Sequence, residues 1–262
     1  MTHQKGLDSF VRIARMALKD EIQVVVEVGA RDCRETLAFA NAFPRARIFA
    51  FECNPDTLPM CRQNVTGIQS IGLIEKAVAS RNGTVSFFKI DTDNTKTTLS
   101  DGNPGASSLF RASGKYKVED YVQVEVSVPA ITLKQFMNDE QLGQMDLLWM
   151  DLQGAELMAL EGLEERIHDV KLIHTEVEFM EIYKNQPLYR DLKQFLKRQG
   201  FRLIGFTYFG RYSADAVFVN SNLVSGWRMP ESLIYYWHKG TRTIDWAARQ
   251  VNPLRALGNR SL

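Results

Sequence analysis

Two carboxylates stand at the ends of apolar runs, where an open sheet presents its ligands. Glu52 closes "ARIFAFE" and Asp151 closes "MDLLWMD". Upstream, "VVVEVGARDC" carries Glu27, then one glycine, Gly29, then a polar stretch able to open a helix. Strand, glycine turn and helix start form the entrance of nucleotide and nucleoside sites in such sheets. An acid about 20 residues beyond the turn accepts two ribose hydroxyls at once, and Glu52 lies at that distance. Glu27 is placed to hold a ligand's ammonium group, because a buried unpaired glutamate is costly. A lysine or arginine of the chain could equally be the cationic partner of Glu27.

The dinucleotide fingerprint needs further glycines so that a helix N-terminus can approach a pyrophosphate. Arg31, Asp32 and Cys33 stand there instead. A pyrophosphate is a poor guest, and a nucleoside without phosphate is a better one. S-adenosylmethionine has that make-up. Methyl transfer to a hydroxyl then requires alignment and the removal of one proton.

Asp151 heads the candidates for that proton, with Gln153 and Glu156 on the turn that follows. His174, Glu176 and Glu178 alternate along "VKLIHTEVEF" and so share a face. His174 has the intrinsic pKa of a base, although a lone strand histidine serves equally as a hydrogen-bonded core residue. At most one of His174 and Glu176 is expected to share a pocket with Asp151. Glu176 or Glu178, with Asp151, could gather a divalent cation through oxygen ligands. Glu156 could equally be a favourable charge at a helix start.

These residues need elements to position them. Short apolar runs alternate with helical patterns, which predicts an α/β, doubly wound and mostly parallel sheet. The strands are "VVVEV", "ARIFAFE", "IGLIEKAVA", "NGTVSFFKI", "YVQVEVSV", "MDLLWMDLQ", "VKLIHTEVEF", "FRLIGF" and "ADAVFVN". Helices are expected over 34–43, from the Asn54-Pro55 pair to 64, over "GAELMALEGL" and over "PLYRDLKQFLKRQG". Asn82-Gly83 reads as a hairpin turn and implies an antiparallel excursion. Residues 91–114 form a long polar loop of the kind that carries function. The opening residues place Leu7, Phe10, Val11, Ala14, Ala17 and Leu18 on one helical face. The divisions expected are an N-terminal helix (1–23), a cofactor-binding domain (24–220) and a C-terminal extension (221–262).

The totals exclude several classes. The 262 residues are 45% apolar, enough for a sizeable core, and carry a net charge of +1. Electrostatic capture of nucleic acid or acidic membrane is therefore not expected. No apolar run approaches the roughly 18 residues of a membrane span. The opening lacks a signal-peptide core, and Cys33, Cys53 and Cys61 form neither a CxxC pair nor a zinc pattern, so a reducing, cytoplasmic setting with buried thiols is expected. The extension holds three of the four tryptophans with six basic residues. It reads as a packed helix, a lid over sugar or anion, or a homo-oligomer interface.

In order, the chain carries "VVEVGARDCRETLAFA", "IFAFECNPDTLPMCRQNV", "KAVASRNGTVSFF", "GASSL", "VPAITLKQFM", "MDLLWMDLQGAELMALEGL", "HTEVEF" and "LKRQGFRLI". Over residues 24–220 this set resembles the FkbM family of S-adenosylmethionine-dependent methyltransferases. The resemblance implies a class I methyltransferase sheet and O-methylation of a hydroxyl on a sugar, a glycan or a glycosylated natural product. It puts Glu27, Gly29 and Ala30 around the methionine part, with Arg31 beside them. It puts Glu52, Cys53 and Asn54 at the ribose and Ala77 and Val78 near the adenine. It brings Ser108, in the 102–109 part of the loop, to the pocket, and Asp151 with Gln153 to the methyl donor. The chain departs from the family's "DVGAN" at Glu27 and Arg31. Rival readings are a non-catalytic nucleoside-binding domain and an NAD-dependent oxidoreductase, which the missing glycines disfavour.

Overall fold

The computed structural model describes residues 2–19 and 21–224. The aromatic and basic extension, with the lid and interface readings attached to it, lies outside the described residues.

A seven-stranded sheet runs in the order β3 (Ile71–Ile74), β2 (Arg47–Phe51), β1 (Val24–Val28), β7 (Met145–Met150), β8 (Val170–Glu178), β10 (Ser213–Asn220) and β9 (Phe201–Phe209). β10 is antiparallel to both neighbours, and the ladders from β3 through β8 are parallel. The chain winds outward from β1 to β3 and later returns to β7 on the other side of β1. That makes the β1–β7 seam the switch point, where crevices open beyond the carboxyl ends of the strands.

Both sheet faces are covered, which is why β1 and β7 read as nearly continuous apolar runs. On one face Val26, Val28, Leu148 and Met150 pack with Phe136 of α4 (Leu133–Asp139), Leu160 of α5 (Glu156–Glu161) and Leu196 of α6 (Tyr189–Arg198). On the other, Val25, Leu147 and Trp149 meet Phe39 of α2 (Arg34–Ala42) and Phe10 of α1 (Thr2–Leu18). Leu7, Phe10, Ala14, Ala17 and Leu18 are buried, so α1 docks by the face its spacing marks out.

Three expectations are corrected. "IGLIEKAVA" is not one strand: it breaks at Glu75-Lys76 into β3 and β4 (Ala77–Val78). β4 leaves the main sheet for a second one, ordered β4-β6-β5. Second, the Asn82-Gly83 turn joins β4 to β5 (Gly83–Ile90) without making them neighbours, because β6 (Gln123–Ile131) lies between. The antiparallel pair is β5 with β6, and Asn82 Oδ1 accepts the Thr132 N–H at 2.8 Å rather than closing a local hairpin. Third, α3 (Leu58–Val65) starts later than the Asn-Pro signal suggests. Asn54 heads a local turn instead, its Oδ1 accepting the Asp56 N–H at 3.0 Å.

Candidate active site

Gly29 has φ +88°, and a Cβ there would stand 2.0 Å from the Asp151 carbonyl oxygen. This accounts for the glycine at the start of the turn: the end of β7 occupies the space a side chain would need. Arg31 (φ +51°) and Cys33 (φ +61°) hold the left-handed course of the turn without being glycines. The turn is pinned to β2 by the Gly29 and Ala30 N–H groups, both donating to the Phe51 carbonyl.

Beyond the ends of β1, β2 and β7 lies a pocket whose walls include Gly29, Arg31, Glu52, Asn54, Val78 and Asp151. Glu52 is buried and accepts three backbone N–H groups, from Arg31 at 2.7 Å, Cys53 at 2.8 Å and Asn54 at 2.6 Å. Burial raises its pKa, and those N–H donors oppose the rise. Three of the roughly four acceptor positions of a carboxylate are thus occupied. Glu52 holds the two turns around the pocket together, with the Thr57 side chain also acting on its carboxylate.

Within the segment 91–122, residues 104–109 form one wall of this pocket. Ser107 Oγ accepts the Ile90 N–H, and Ser108 Oγ donates to the Gln153 carbonyl at 2.8 Å, fixing "GASSL" to both sheets. The Arg31 guanidinium pairs with Asp101 and lies against Gly105. The space left beneath is about 60 Å³, far below the roughly 300 Å³ of the smallest ligand pockets.

On the acceptor side, Gln153 Nε2 donates to Asp151 Oδ1 and to Glu176 Oε2, both at 2.7 Å. The Tyr183 hydroxyl stands 2.8 Å from Gln153 Oε1 and from the Ala106 carbonyl, and shares its proton between them. Behind Gln153, carboxylate oxygens of Glu156, Glu176 and Glu178 lie within 4.8 Å of one another. Burial, with mutual repulsion, pushes Glu156 up to about 7 and holds Glu176 and Glu178 well above the usual carboxylate range. Such a group either shares protons or takes up a cation. Glu156 also accepts the Leu152 N–H at 2.8 Å at the start of α5, in keeping with a helix-start charge.

Several expected site residues lie elsewhere. His174 is buried beneath α1, stacked on Trp149 with ring centroids 3.6 Å apart and edge-on to Phe10. Its Nε2 is 2.7 Å from Thr207 Oγ1. Alternation put it on the face of Glu176 correctly, but it sits deeper in the strand, opposite Trp149, and does not line the pocket. Glu27 is buried under the turn with the Thr36 hydroxyl donating to it, away from the pocket wall, so it is not aimed at a ligand's ammonium. Ala30 is likewise buried below the turn, in a small cluster with Cys33 and Cys61. Of the three thiols only Cys53 reaches the pocket, and burial raises its pKa, which leaves it protonated and unreactive. The cation cluster uses Glu156 with Glu176 and Glu178, where the spacing had suggested Asp151.

The Methyltransferase FkbM domain model matches residues 27–203. The chain belongs to this family. A relative, 2-O-methyltransferase NoeI of Sinorhizobium fredii (strain NBRC 101917 / NGR234), is 28% identical over 172 residues, which are 62% of this chain and 66% of that protein. The chain thus spans just under two thirds of that relative's length. Among solved structures, the methyltransferase FkbM from Methylobacillus flagellatus KT aligns with TM-score 0.46 and 13% identity, over 76% of this chain and 43% of that one. The magnesium protoporphyrin IX methyltransferase of Synechocystis PCC 6803 with bound SAM aligns with TM-score 0.47 and 12% identity, over 84% and 80%.

In this FkbM domain the pocket walls also include Phe51, Thr57, Lys76 and Phe87, to which the sequence assigned no role, while Leu109 lines it as the 102–109 reading expects. Lys76 adjoins Ala77-Val78 in a motif already singled out, so adjacency was an available signal. Phe87 arrives from the second sheet, and nothing local announces it.

Proposed function

We propose that this chain is an S-adenosylmethionine-dependent O-methyltransferase acting on a hydroxyl of a sugar or glycan. The observation that carries the reading is the seam between Gly29 and Asp151, with Glu52 beside it and Arg31 where a pyrophosphate site would need glycine. The residues suit a nucleoside: Glu52 stands on the pocket wall as an acceptor for ribose hydroxyls, and Phe51, Val78 and Phe87 offer apolar surface to a base. The relative named as a 2-O-methyltransferase supports a hydroxyl as acceptor.

S-adenosylmethionine, when bound, supplies an electrophilic methyl group on a sulfonium. The oxygen–carbon bond to the acceptor forms as the carbon–sulfur bond breaks, and the hydroxyl proton passes to the chain. Asp151, on the pocket wall and oriented by Gln153, is the group that takes it. In one variation, the Glu156, Glu176 and Glu178 carboxylates would hold a divalent cation, which would supply Lewis-acid activation of the hydroxyl.

Calorimetric titration with S-adenosylhomocysteine and with NAD tests the cofactor: the first is expected to bind and the second not. Transfer of labelled methyl to a panel of glycans and simple alcohols tests the acceptor. Saturable NAD binding without S-adenosylhomocysteine binding would overturn the reading.

A further inference from the structure

A second cleft opens under the far half of the same segment. It encloses about 450 Å³ and its walls include Lys96, Gly114, Tyr116, Val118, Tyr121 and Ile182. That volume lies within the range of small-ligand sites. We infer that this cleft is the acceptor subsite and that it takes a neutral pyranose ring. The inference rests on the proposed sugar O-methylation and adds where the sugar sits.

Tyr116 and Tyr121 stand in its wall, backed by Tyr212 and Tyr183. Tyr116 is 5.9 Å from Tyr121 and 5.5 Å, edge-on, from Tyr212; Tyr121 stacks on Tyr183 at 6.1 Å and 16°. An aromatic face receives the C–H face of a pyranose while hydroxyls stay free for polar partners, and tyrosine offers both surfaces. Val118, 52% exposed, adds an apolar rim.

The charges in the cleft balance: Lys96 and Lys117 stand against Glu119 and Asp120. Glu119 already accepts from Thr97, from Asn103 and, at 2.5 Å, from the Tyr121 hydroxyl. Lys96 and Asp120, both exposed, face each other at 3.6 Å. A wall with no net charge suits a neutral ring, and its exposed lysines and Asp120 offer hydrogen-bond partners to hydroxyls.

The cleft is connected to the reaction centre. Tyr183, stacked on Tyr121, reaches Gln153 with its hydroxyl, and Gln153 bridges Asp151 and Glu176. The Ala112–Tyr183 bridge and the Ser113 N–H donating to the Ile182 carbonyl fasten the same segment here. Tyr121, Tyr183 and Gln153 thus form a side-chain path from the cleft wall to Asp151. Burial raises the hydroxyl pKa values of Tyr116 and Tyr121, and Glu176 lies close enough for its charge to add to the rise.

Saturation-transfer NMR on the protein with S-adenosylhomocysteine tests this, using methyl β-D-glucopyranoside, methyl β-D-galactopyranoside, methyl α-L-rhamnopyranoside and glucuronate. At least one neutral pyranoside is expected to bind. Tyr116→Ala is expected to weaken it at least tenfold, Tyr116→Phe less than threefold, and Val118→Trp, which fills the cleft from an exposed position, at least fivefold. S-adenosylhomocysteine affinity should stay constant in all three and reports that the fold is kept. Pyranoside affinity unchanged in both Tyr116→Ala and Val118→Trp would overturn the subsite and leave sugar methylation standing. Preference for glucuronate would overturn the neutral-ring assignment. Methyl transfer to a non-sugar alcohol, with no pyranoside bound, would overturn the sugar reading and the subsite with it.

Discussion

Arg31 and Asp101 form an ion pair across the mouth of the cofactor pocket, one from the β1–α2 turn and the other from the segment 91–122. Both side chains are more than 40% exposed, and exposed pairs contribute at most about 1 kcal/mol. The latch is weak enough to open in every catalytic cycle. Arg31→Ala is expected to raise the association rate of S-adenosylhomocysteine by up to about fivefold, the rate equivalent of about 1 kcal/mol. Stopped-flow binding measures it, and added salt should produce part of the same acceleration in the unaltered protein. An unchanged rate in the variant would remove the latch.

Glu52 separates two roles by substitution. Glu52→Ala removes the two oxygens that accept three backbone N–H groups, together with the proposed ribose contact. It should lower the melting temperature and weaken the cofactor by about 1.5–3 kcal/mol. Glu52→Gln keeps the side-chain size and one acceptor oxygen, so most of the fold stability should survive while cofactor affinity falls. Equal affinities for the two variants and the parent would take Glu52 out of the binding site.

The proton acceptor can be told from the core histidine. Asp151→Asn is expected to lower kcat by roughly 10²–10⁴-fold with little change in S-adenosylhomocysteine affinity. His174→Ala, which opens a gap between Trp149 and Phe10, should instead destabilise the fold by about 1–3 kcal/mol and leave kcat nearly intact. Loss of turnover with EDTA, restored by a divalent cation, would transfer the main role to the Glu156 cluster.

Stability should fall as pH rises from about 5 to 8. Burial raises the folded pKa of Glu27, Glu52, Glu156, Glu176 and Glu178 above their unfolded values. The folded chain then holds more protons than the unfolded chain above about pH 4.5, and each such group loses its contribution as pH climbs through its folded pKa. Glu27→Gln, keeping a partner for Thr36, should flatten the slope in urea titrations at several pH values. A slope identical to the parent's would show that Glu27 is not one of the titrating groups.

The strands were legible because burial on both faces leaves uninterrupted apolar runs, and β1 matches its expected bounds residue for residue. Gly29, Glu52 and Asp151 were legible because strand ends next to a glycine turn are where such sheets place ligands. His174 was misread because alternation assigns a face and says nothing of depth along the strand. The second sheet was only half visible: β4 is two residues long, and its partner β6 lies more than 40 residues away in sequence. Gln153 was flagged for the cofactor, yet its bridging of two carboxylates depends on a tertiary approach of β8 that no local pattern encodes. The tyrosine cleft assembles from residues 96–121 and 182–183 by the same kind of long-range contact.

One segment supplies walls to both openings, residues 104–109 to the cofactor pocket and Lys96 with residues 112–121 to the tyrosine cleft. If it moves as one body, the proposed sugar and cofactor would bind in a fixed order. A sugar bound first would hold the segment down over an empty cofactor pocket, so a productive cycle would load the nucleoside before the sugar and release it after. Excess sugar would then trap a dead-end complex, and turnover should pass through a maximum as acceptor concentration increases.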